Sequence, residues 1–242
     1  MVTTYRPEKI HKIILKISGE ILGGKAGNNF DIATINTLID EIIAVKDMGY
    51  GIGLVIGGGN IFRGASELGD KLNRFTADNI GMLATIQNSL LLSELLRKRN
   101  HRTEIFSAIQ ISKVAKFYTP NRANTSLNEG KICFFCAGTG NPFFTTDTAA
   151  VLRAIELSAD AVFKGTKVDG VYAADPAQHK DAEFLADVTF EEVIAKQLKV
   201  MDMTSFSLAR EYNMPIKVFN ITKKNNLKEA ILNKEVGTFI HQ

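Results

Sequence analysis

Two glycine-containing segments of this 242-residue chain could bind phosphate. In the run LKISGE, Lys16 lies among apolar residues, and Ser18 and Gly19 follow it. This arrangement puts a cation beside a turn whose backbone amides can meet an anion, although Lys16 alone could also be a lysine that keeps its ammonium group in water. In VIGGGNIFRG (55–64), three glycines remove all side chains where the backbone turns, and Arg63 follows at a distance that suits a grip on phosphate oxygens. The triplet indicates a ligand.

A third segment, AGTGNPFFTTDTAA (137–150), joins a strand-like apolar run to a helix-like run. Thr145 and Thr146 stand where the N-cap of that helix belongs, and Asp147 falls in its first turn. A helix N-terminus has unpaired amides and a partial positive charge, so this joint favours an anion.

The same loop carries groups that suit a nucleobase. The Asn141 amide can both donate and accept, as recognition of an amide-like ring edge requires. Phe143 and Phe144 either line a pocket or only anchor the loop on the core, and the sequence favours neither interpretation.

The fourth segment is FKGTKVDGVYAADP, in which Lys164 and Lys167 lie on either side of Thr166. Tyr172 offers a flat face for a base, and Asp175 precedes a proline in what could be a purely structural turn. The sequence does not distinguish which of the two lysines faces a phosphate group.

These segments are not the usual nucleotide-binding loops. The chain contains no G-x-x-x-x-G-K-[ST] motif, and the glycine triplet lacks the dinucleotide-binding pattern G-x-G-x-x-G. The nearest approach to the first motif, GGKAG (23–27), has no Ser or Thr after Lys25. If the protein binds nucleoside triphosphates, it does so without the usual phosphate loop.

Short apolar runs of strand length alternate with helical patterns along the chain. The first predicted helix has Asp31 as its N-cap and ends before Gly49. Further helices are predicted at 77–99, 147–159, 189–198, 204–212 and 225–233. Predicted strands cover 12–17, 51–56, 103–109, 131–137, 160–166, 216–220 and 237–241, and Asp169-Gly170 is a hairpin signal. The alternation predicts an α/β fold: one domain over 1–242, a three-layer αβα sandwich around a mostly parallel sheet. In such sheets, ligands bind at the carboxyl ends of strands, where the four segments lie.

The composition is that of an ordinary globular protein, with 45% hydrophobic and 23% charged residues. A net charge of +3 is too small to indicate nucleic-acid binding. No apolar run approaches the roughly 18 residues that span a bilayer, and the first residues lack the apolar core of a signal peptide. These features predict a cytoplasmic protein that binds neither membranes nor nucleic acid.

Cys133 and Cys136 form a C-x-x-C pattern inside a predicted strand. Three residues apart on a strand, they point to opposite faces and can neither pair easily nor share a metal ion. No second cysteine pair and no nearby histidine completes a zinc site. We therefore expect two buried free thiols and no metal ligands.

Together, these segments resemble the bacterial uridylate kinases, a family of the amino-acid kinase superfamily. The resemblance covers nearly the whole chain in the same order, and rests on LKISGE, VIGGGNIFRG, NRFTADNIGMLAT, GTGNPFFTTD, KGTKVDGVYAADP and LKVMDMTSFSLAR. The run GTGNPFFTTD is close to diagnostic, because sibling kinases for aspartate, glutamate or carbamate differ there. The resemblance implies the amino-acid kinase fold and transfer of the γ-phosphate of ATP to UMP, with Mg²⁺, in the synthesis of UTP and CTP.

The resemblance also implies site residues, by matching motif. ATP would bind Lys16, Ile17, Ser18, Gly19, Gly59, Arg63, Thr166, Tyr172 and Asp175. UMP would bind Gly58, Asp78, Thr139, Gly140, Asn141, Pro142, Phe143, Phe144, Thr145 and Thr146. The catalytic groups would be Lys16, Arg63 and Asp147, with Asp147 orienting Lys16. The Asp78 carboxylate could accept hydrogen bonds from a ribose diol, and it also suits the start of the helix predicted from residue 77.

The resemblance further implies a homohexamer built as a trimer of dimers, and UTP as feedback inhibitor. The wide apolar surface of the helix predicted at 77–99 fits either deep burial or a subunit interface. The run GGKAGNNF differs from the loop of relatives that GTP activates, so GTP activation is not implied, and Gln110 stands where an apolar residue or proline is expected.

Two alternatives share parts of this pattern. A sibling amino-acid or carbamate kinase should lack Asp78 and the run GTGNPFFTTD. A non-catalytic nucleotide-binding storage or sensor protein should lack Lys16 or the glycine triplet. All of these features are present in the chain.

Overall fold

The computed structural model describes residues 5–23, 28–63, 71–174, 176, 178–179, 181–198 and 200–242. The strands in these residues are β1 (Lys12–Ile17), β2 (Gly51–Ile56), β3 (Thr103–Ser107), β4 (Lys116–Phe117), β5 (Ile132–Cys136), β6 (Ala161–Thr166), β7 (Val171–Tyr172), β8 (Phe184–Leu185), β9 (Asp187–Thr189), β10 (Ile216–Asn220) and β11 (Thr238–His241). The α-helices are α1 (Ile32–Asp47), α2 (Arg74–Lys98), α3 (Pro120–Asn128), α4 (Thr146–Glu156), α5 (Phe190–Ala195), α6 (Met203–Glu211) and α7 (Asn226–Leu232).

The central sheet has the strand order β4-β3-β5-β2-β1-β6-β10-β11-β9. Among the paired strands of this sheet in the described residues, only β10 and β11 run antiparallel. Strands β7 and β8 form a separate antiparallel pair. The predicted mostly parallel sheet is therefore confirmed, with β1, β2 and β6 at its centre.

Helices cover both faces of the sheet. Helices α1, α2 and α7 pack on one face, where Ile13, Leu15 and Ile17 of β1 join their core. Helices α3, α4, α5 and α6 pack on the other, and Ile14 joins that second core. Because successive side chains of a strand alternate between faces, Lys16 points to the side of α4. The three-layer αβα prediction is confirmed.

Helix starts follow local capping chemistry. The Asp31 carboxylate accepts a hydrogen bond from the Thr34 amide at 2.8 Å, which confirms the predicted start of α1. Helix α2 begins at Arg74, three residues before the predicted start, because the Asn73 side chain accepts from the Thr76 amide at 2.8 Å. Helix α3 was not predicted, since its sequence is polar and begins with a proline.

The hairpin predicted at Asp169-Gly170 was wrong. These residues lie in the connection from β6 to β7, and β7 pairs with β8 instead. The Asp169 carboxylate accepts a hydrogen bond from Asn220 at 3.0 Å and forms an ion pair with Lys223 at 2.7 Å. Gly170 lies where a Cβ atom would be 2.8 Å from the Phe184 ring, so the glycine permits close packing and not a tight turn between paired strands.

The two cysteines are buried and unpaired, as predicted. Cys136 joins the core on the side of α1, and Cys133 joins the core on the side of α4. Burial raises the pKa of each thiol to about 12.

No helix in the described part of the chain has the length and apolar character that crossing a membrane requires.

Candidate active site

The loops that follow β1 and β2 pack directly against each other at the carboxyl edge of the sheet. The Gly57 amide donates to the Ile17 carbonyl at 2.9 Å. A Cβ atom on Gly19 would lie 2.8 Å from the Gly59 nitrogen, and one on Gly58 would lie 2.8 Å from the Ala84 Cβ on α2. Side chains at these positions would push the two loops and α2 apart, so the glycines are required for the close approach.

This contact leaves a group of backbone donors that have no partner among the described residues. In the described residues, no group accepts a hydrogen bond from the amides of Gly19, Gly58 or Gly59. Buried or half-buried amides are nearly always paired with protein, water or a ligand. Several such donors in one concave turn suit an anion with multiple oxygens, such as phosphate.

A buried cluster of two lysines and one carboxylate lies beside these loops. Lys16 on β1 and Lys164 on β6 are aligned in register on neighbouring parallel strands. One carboxylate oxygen of Asp147 lies 2.6 Å from the Lys16 ammonium nitrogen, and the other lies 2.6 Å from that of Lys164. Lys164 also donates to the Val200 carbonyl. Lys167, in contrast, is exposed, so the structure brings Lys164 and not Lys167 to the cluster.

The charges in this cluster control one another. Burial alone would raise the pKa of the Asp147 carboxyl, but the adjacent ammonium groups of Lys16 and Lys164 outweigh it and hold that pKa below its usual range. Burial lowers the pKa of Lys164; Asp147 counteracts this and the positive charge of Lys16 adds to it. Within the cluster one carboxylate lies between two cations, and the negative charge of Asp202 also acts on Lys164 and opposes the lowering of its pKa.

The N-terminus of α4 is capped as predicted. The Thr145 hydroxyl accepts hydrogen bonds from the amides of Asp147 at 3.1 Å and Thr148 at 3.2 Å. The hydroxyls of both threonines donate to Asp202, which also accepts from the Ser205 amide at 3.0 Å and so caps α6. The run around Asp202 therefore joins α4 to α6 beside the lysine cluster.

A first cavity, which we call the acceptor cavity, lies between the glycine triplet, α2 and the loop before α4. Residues predicted to bind UMP that line it are Gly58, Asp78, Thr139, Asn141, Phe144 and Thr146. Gly140, Pro142, Phe143 and Thr145 belong to the same loop but do not line the cavity. The Phe143 side chain is 66% exposed and that of Phe144 is 48% exposed, so neither ring anchors the loop in the core. Phe144 lines the cavity.

Asp78 connects α2 to that loop. One carboxylate oxygen accepts from the Phe143 amide at 2.7 Å, and the Arg74 Nε lies 2.8 Å from the same oxygen. Phe143 has a positive φ of 73°, an uncommon conformation for a bulky residue. Asp78 therefore lines the cavity and also holds the backbone of Phe143 in this uncommon conformation.

A second cavity, the donor cavity, has a volume of about 540 Å³, within the size range of small-molecule sites. Thr166, Tyr172 and Val200 line it. The Tyr172 ring packs edge-on against Phe184 at 5.4 Å, while the Thr166 hydroxyl donates to the Val168 carbonyl at 2.6 Å. Asp175, the other residue predicted here, lies outside the described residues.

The remaining predicted residues lie at the glycine loops. The Arg63 guanidinium is 3.3 Å from the Glu20 carboxylate and donates to the Gly59 carbonyl at 3.2 Å. The Ile17 side chain is fully buried, so only its backbone can contact a ligand. The Ser18 hydroxyl accepts from the Glu20 amide and begins a short 3-10 turn.

The sequence singled out Lys164 and Lys167 without distinguishing them, and the structure brings Lys164 to the cluster because its strand is the neighbour of that of Lys16. Sequence reasoning missed Arg74, Asn88 and Asp202. Asn88 and Asp202 act through contacts with residues distant in sequence.

The fold and the site together define an α/β protein with a buried cluster of charged residues and two cavities at the loops of its central sheet. The chain matches the amino acid kinase family over residues 11–220. Uridylate kinase of Colwellia psychrerythraea is 45% identical over 99% of this chain and 97% of its own length, and that of Alcanivorax borkumensis is 45% identical over 97% and 93%. The structure of UMP kinase from Bacillus anthracis superposes with a TM-score of 0.92 at 37% identity over 95% of each chain, and that from Ureaplasma parvum with 0.91 at 35% identity over 97% and 100%. The chain therefore belongs to the amino acid kinase family and, within it, to the uridylate kinases.

Proposed function

We propose that this protein is a UMP kinase, which transfers the γ-phosphate of ATP to UMP and yields ADP and UDP. The observation that carries the proposal is the position of the Lys16–Asp147–Lys164 cluster. Asp147 follows Thr146 of the acceptor cavity, and Lys164 donates to Val200 of the donor cavity. Phosphates entering from the two cavities would meet at this cluster.

The acceptor cavity suits UMP. Asp78 would accept hydrogen bonds from the ribose diol, and Asn141 would recognise the uracil edge. Phe144 would pack against the nucleotide, and the amides of Gly58 and of the loop 139–146 would hold the UMP phosphate. The loop residues that do not line the cavity would contribute through their backbone or by fixing its shape.

The glycine loops and the donor cavity suit ATP. The backbone from Lys16 to Gly19, the Gly59 amide and the Arg63 guanidinium would hold its phosphates. Tyr172 and Thr166 would meet the nucleoside, together with Asp175.

Phosphoryl transfer requires mainly alignment and neutralisation of charge. The Lys16 and Lys164 ammonium groups would stabilise the negative charge on the transferred group, and Asp147 would keep both cations in place. The acceptor oxygen of UMP is already an ionised phosphate, so no general base is needed.

Mg²⁺ would enter with ATP. The described residues contain no group of three or more His, Cys, Asp or Glu side chains that could hold a metal ion. Mg²⁺ commonly binds through substrate phosphates, water and one or two carboxylates, so a dedicated protein cage is not required. Bound to ATP, the ion would offset phosphate charge.

We further propose, from the resemblance to the family, a cytoplasmic homohexamer that acts in pyrimidine nucleotide synthesis and is inhibited by UTP. The outer surface of α2 supports an assembly, because Leu83 and Leu90 are exposed there. Light scattering coupled to gel filtration would measure the mass of the assembly, and UTP titration of the activity would test the inhibition.

The first experiment is an ADP-release assay with ATP and Mg²⁺, in which UMP, CMP, dUMP, aspartate and glutamate are compared as acceptors. Turnover with UMP alone would support the proposal. Turnover with an amino acid would preserve the kinase assignment and overturn the substrate. A folded sample that binds ATP and phosphorylates none of them would overturn the proposed activity.

A further inference from the structure

Asn88 is a completely buried polar residue in the middle of α2. Its Nδ2 donates to the Gly57 carbonyl at 2.7 Å and to the Asn60 Oδ1 at 2.8 Å. In return, the Asn60 Nδ2 donates to the Asn88 Oδ1 at 3.0 Å. A carbonyl oxygen can only accept, so the contact with Gly57 fixes which end of the Asn88 amide faces the loop.

The Gly57 contact determines the direction of the next amide. The described chain has no cis peptide bonds. In a planar trans peptide, the C=O of one residue and the N–H of the next point in opposite directions. Because the Asn88 side chain holds the Gly57 carbonyl towards itself, the Gly58 N–H points away from Asn88. Gly58 lines the acceptor cavity, and its amide has no acceptor in the described residues.

Asn60 extends the same amide pair to two other segments. Its Nδ2 also donates to the Asn29 carbonyl at 2.9 Å. Its Oδ1 lies where a Cβ atom on Gly19 would be only 2.6 Å away. The two asparagines therefore hold the glycine triplet against the loop after β1, the segment before α1 and helix α2.

Stability alone does not explain a polar residue at this position. Leu92 and Leu96 follow Asn88 at i+4 and i+8 on the same helix face, and both are fully buried. Burying an amide costs free energy that its hydrogen bonds only offset, whereas a leucine there would contribute favourable burial. What the asparagine adds is a fixed orientation of one peptide group.

We propose that Asn88 is a positioning residue for phosphoryl transfer. It orients the Gly57–Gly58 peptide so that the Gly58 amide faces the phosphate of UMP. The proposal rests on the proposed kinase function. Asn88 itself does not touch the substrate. Its loss would leave the Gly58 amide free to turn away, and would weaken stabilisation of charge that is greatest in the transition state.

The test is Asn88→Leu, with kcat and KM for ATP and UMP measured together with the thermal midpoint. Removing one preorganised donor typically lowers kcat about 10²–10³-fold, and a misoriented donor should give about 10–100-fold, with each KM within about threefold. The control is Ser93→Ala, another buried polar side chain on α2, which hydrogen-bonds Thr103 at 2.7 Å away from the glycine loop. It should change the thermal midpoint and not kcat.

A kcat for Asn88→Leu within twofold of wild type would overturn the proposal. So would an equal loss in Ser93→Ala at the same change in thermal midpoint. If Asn88→Leu does not fold, Asn60→Ala removes the other half of the amide pair, and an unchanged kcat in that variant would also overturn it.

A wild-type protein that turns over no UMP would defeat the proposed function but not the orientation of the loop. The inference is then tested by the crystal structure of Asn88→Leu. The Gly57–Gly58 peptide should be turned from its wild-type orientation in that variant, and an unchanged peptide would overturn the inference.

Discussion

Two ammonium groups share one buried carboxylate at the centre of the site. Lys16 and Lys164 occupy paired positions on adjacent strands, which in any sheet lie about 4.8 Å apart. Their charges would repel in the absence of an anion, and Asp147 separates them with one oxygen for each. In the proposed complex, phosphate oxygens would take over part of this role when a nucleotide binds.

The two lysines of the run FKGTK should therefore respond differently to the same substitution. Lys164→Met should lower kcat about 10²–10³-fold, because it removes a cation that would face the transferred group in the proposed mechanism. Lys167→Met is the same substitution at an exposed lysine, and it should leave kcat close to that of wild type. Steady-state kinetics of both variants would check this. Equal effects in the two variants would contradict the assignment of Lys164.

Lys217 is a buried lysine that does not belong to the Lys16–Asp147–Lys164 cluster. It lies on β10 and donates to the Lys234 carbonyl at 2.8 Å, with its ammonium 4.6 Å from the centre of the Tyr5 ring. Burial lowers the pKa of Lys217 to about 8, although the negative charges of Asp187 and Glu235 oppose the shift and the positive charge of Lys234 adds to it.

The stability contributed by Lys217 should depend on pH. The pKa of a lysine in the unfolded chain is about 10.4. Between pH 8 and that value, the unfolded chain therefore binds a proton that the folded chain lacks. The free energy of unfolding of wild type should then rise with pH relative to Lys217→Met, by up to about 1.4 kcal/mol per pH unit. Urea denaturation of both proteins from pH 7 to 10 measures this difference. Parallel stability curves would contradict the prediction.

At the scale of elements, the longer strands were predictable because their signals are local, whereas the two- and three-residue strands β4, β7, β8 and β9 were not predicted. Strands β1, β2 and β10 have the limits predicted from their apolar runs. The hairpin failed because Asp169 and Gly170 are held by residues from Asn220 onwards, which no local pattern indicates. The amide pair of Asn60 and Asn88 was missed for the same reason, since its partners are 28 residues apart. The glycine triplet itself was visible, but the residue that orients it was not.

Two glycines in different elements should respond in opposite directions to alanine. Gly170→Ala introduces a methyl group 2.8 Å from the Phe184 ring and 3.0 Å from the Thr238 nitrogen, so it should destabilise the fold by about 1–3 kcal/mol. Gly81→Ala, within α2, meets nothing within 4 Å and should stabilise it by about 0.5–1 kcal/mol. Chemical denaturation measures both changes. A stabilising Gly170→Ala would show that the β6–β7 connection adjusts freely.

At the scale of the whole molecule, α2 contacts both the loop before α4 and the glycine triplet. Asp78, near the start of α2, holds the loop before α4 through the Phe143 amide, and Asn88, at its middle, holds the glycine triplet. Leu83 and Leu90 of the same helix are exposed. A subunit that covered those leucines would contact the same helix that shapes both phosphate-binding loops. Assembly and catalysis would then share one rigid element.

The two free thiols provide natural probes of how this molecule opens. Cys133 and Cys136 lie on one strand but face opposite layers, so an alkylating reagent reaches each only when its own layer separates from the sheet. If both layers detach in one cooperative event, the two cysteines should be labelled at the same rate, which mass spectrometry of the separated peptides would measure. Faster labelling of Cys133 would mean that the α3–α6 layer opens while the other stays closed. The two helical layers on either face of the sheet would then open independently of each other.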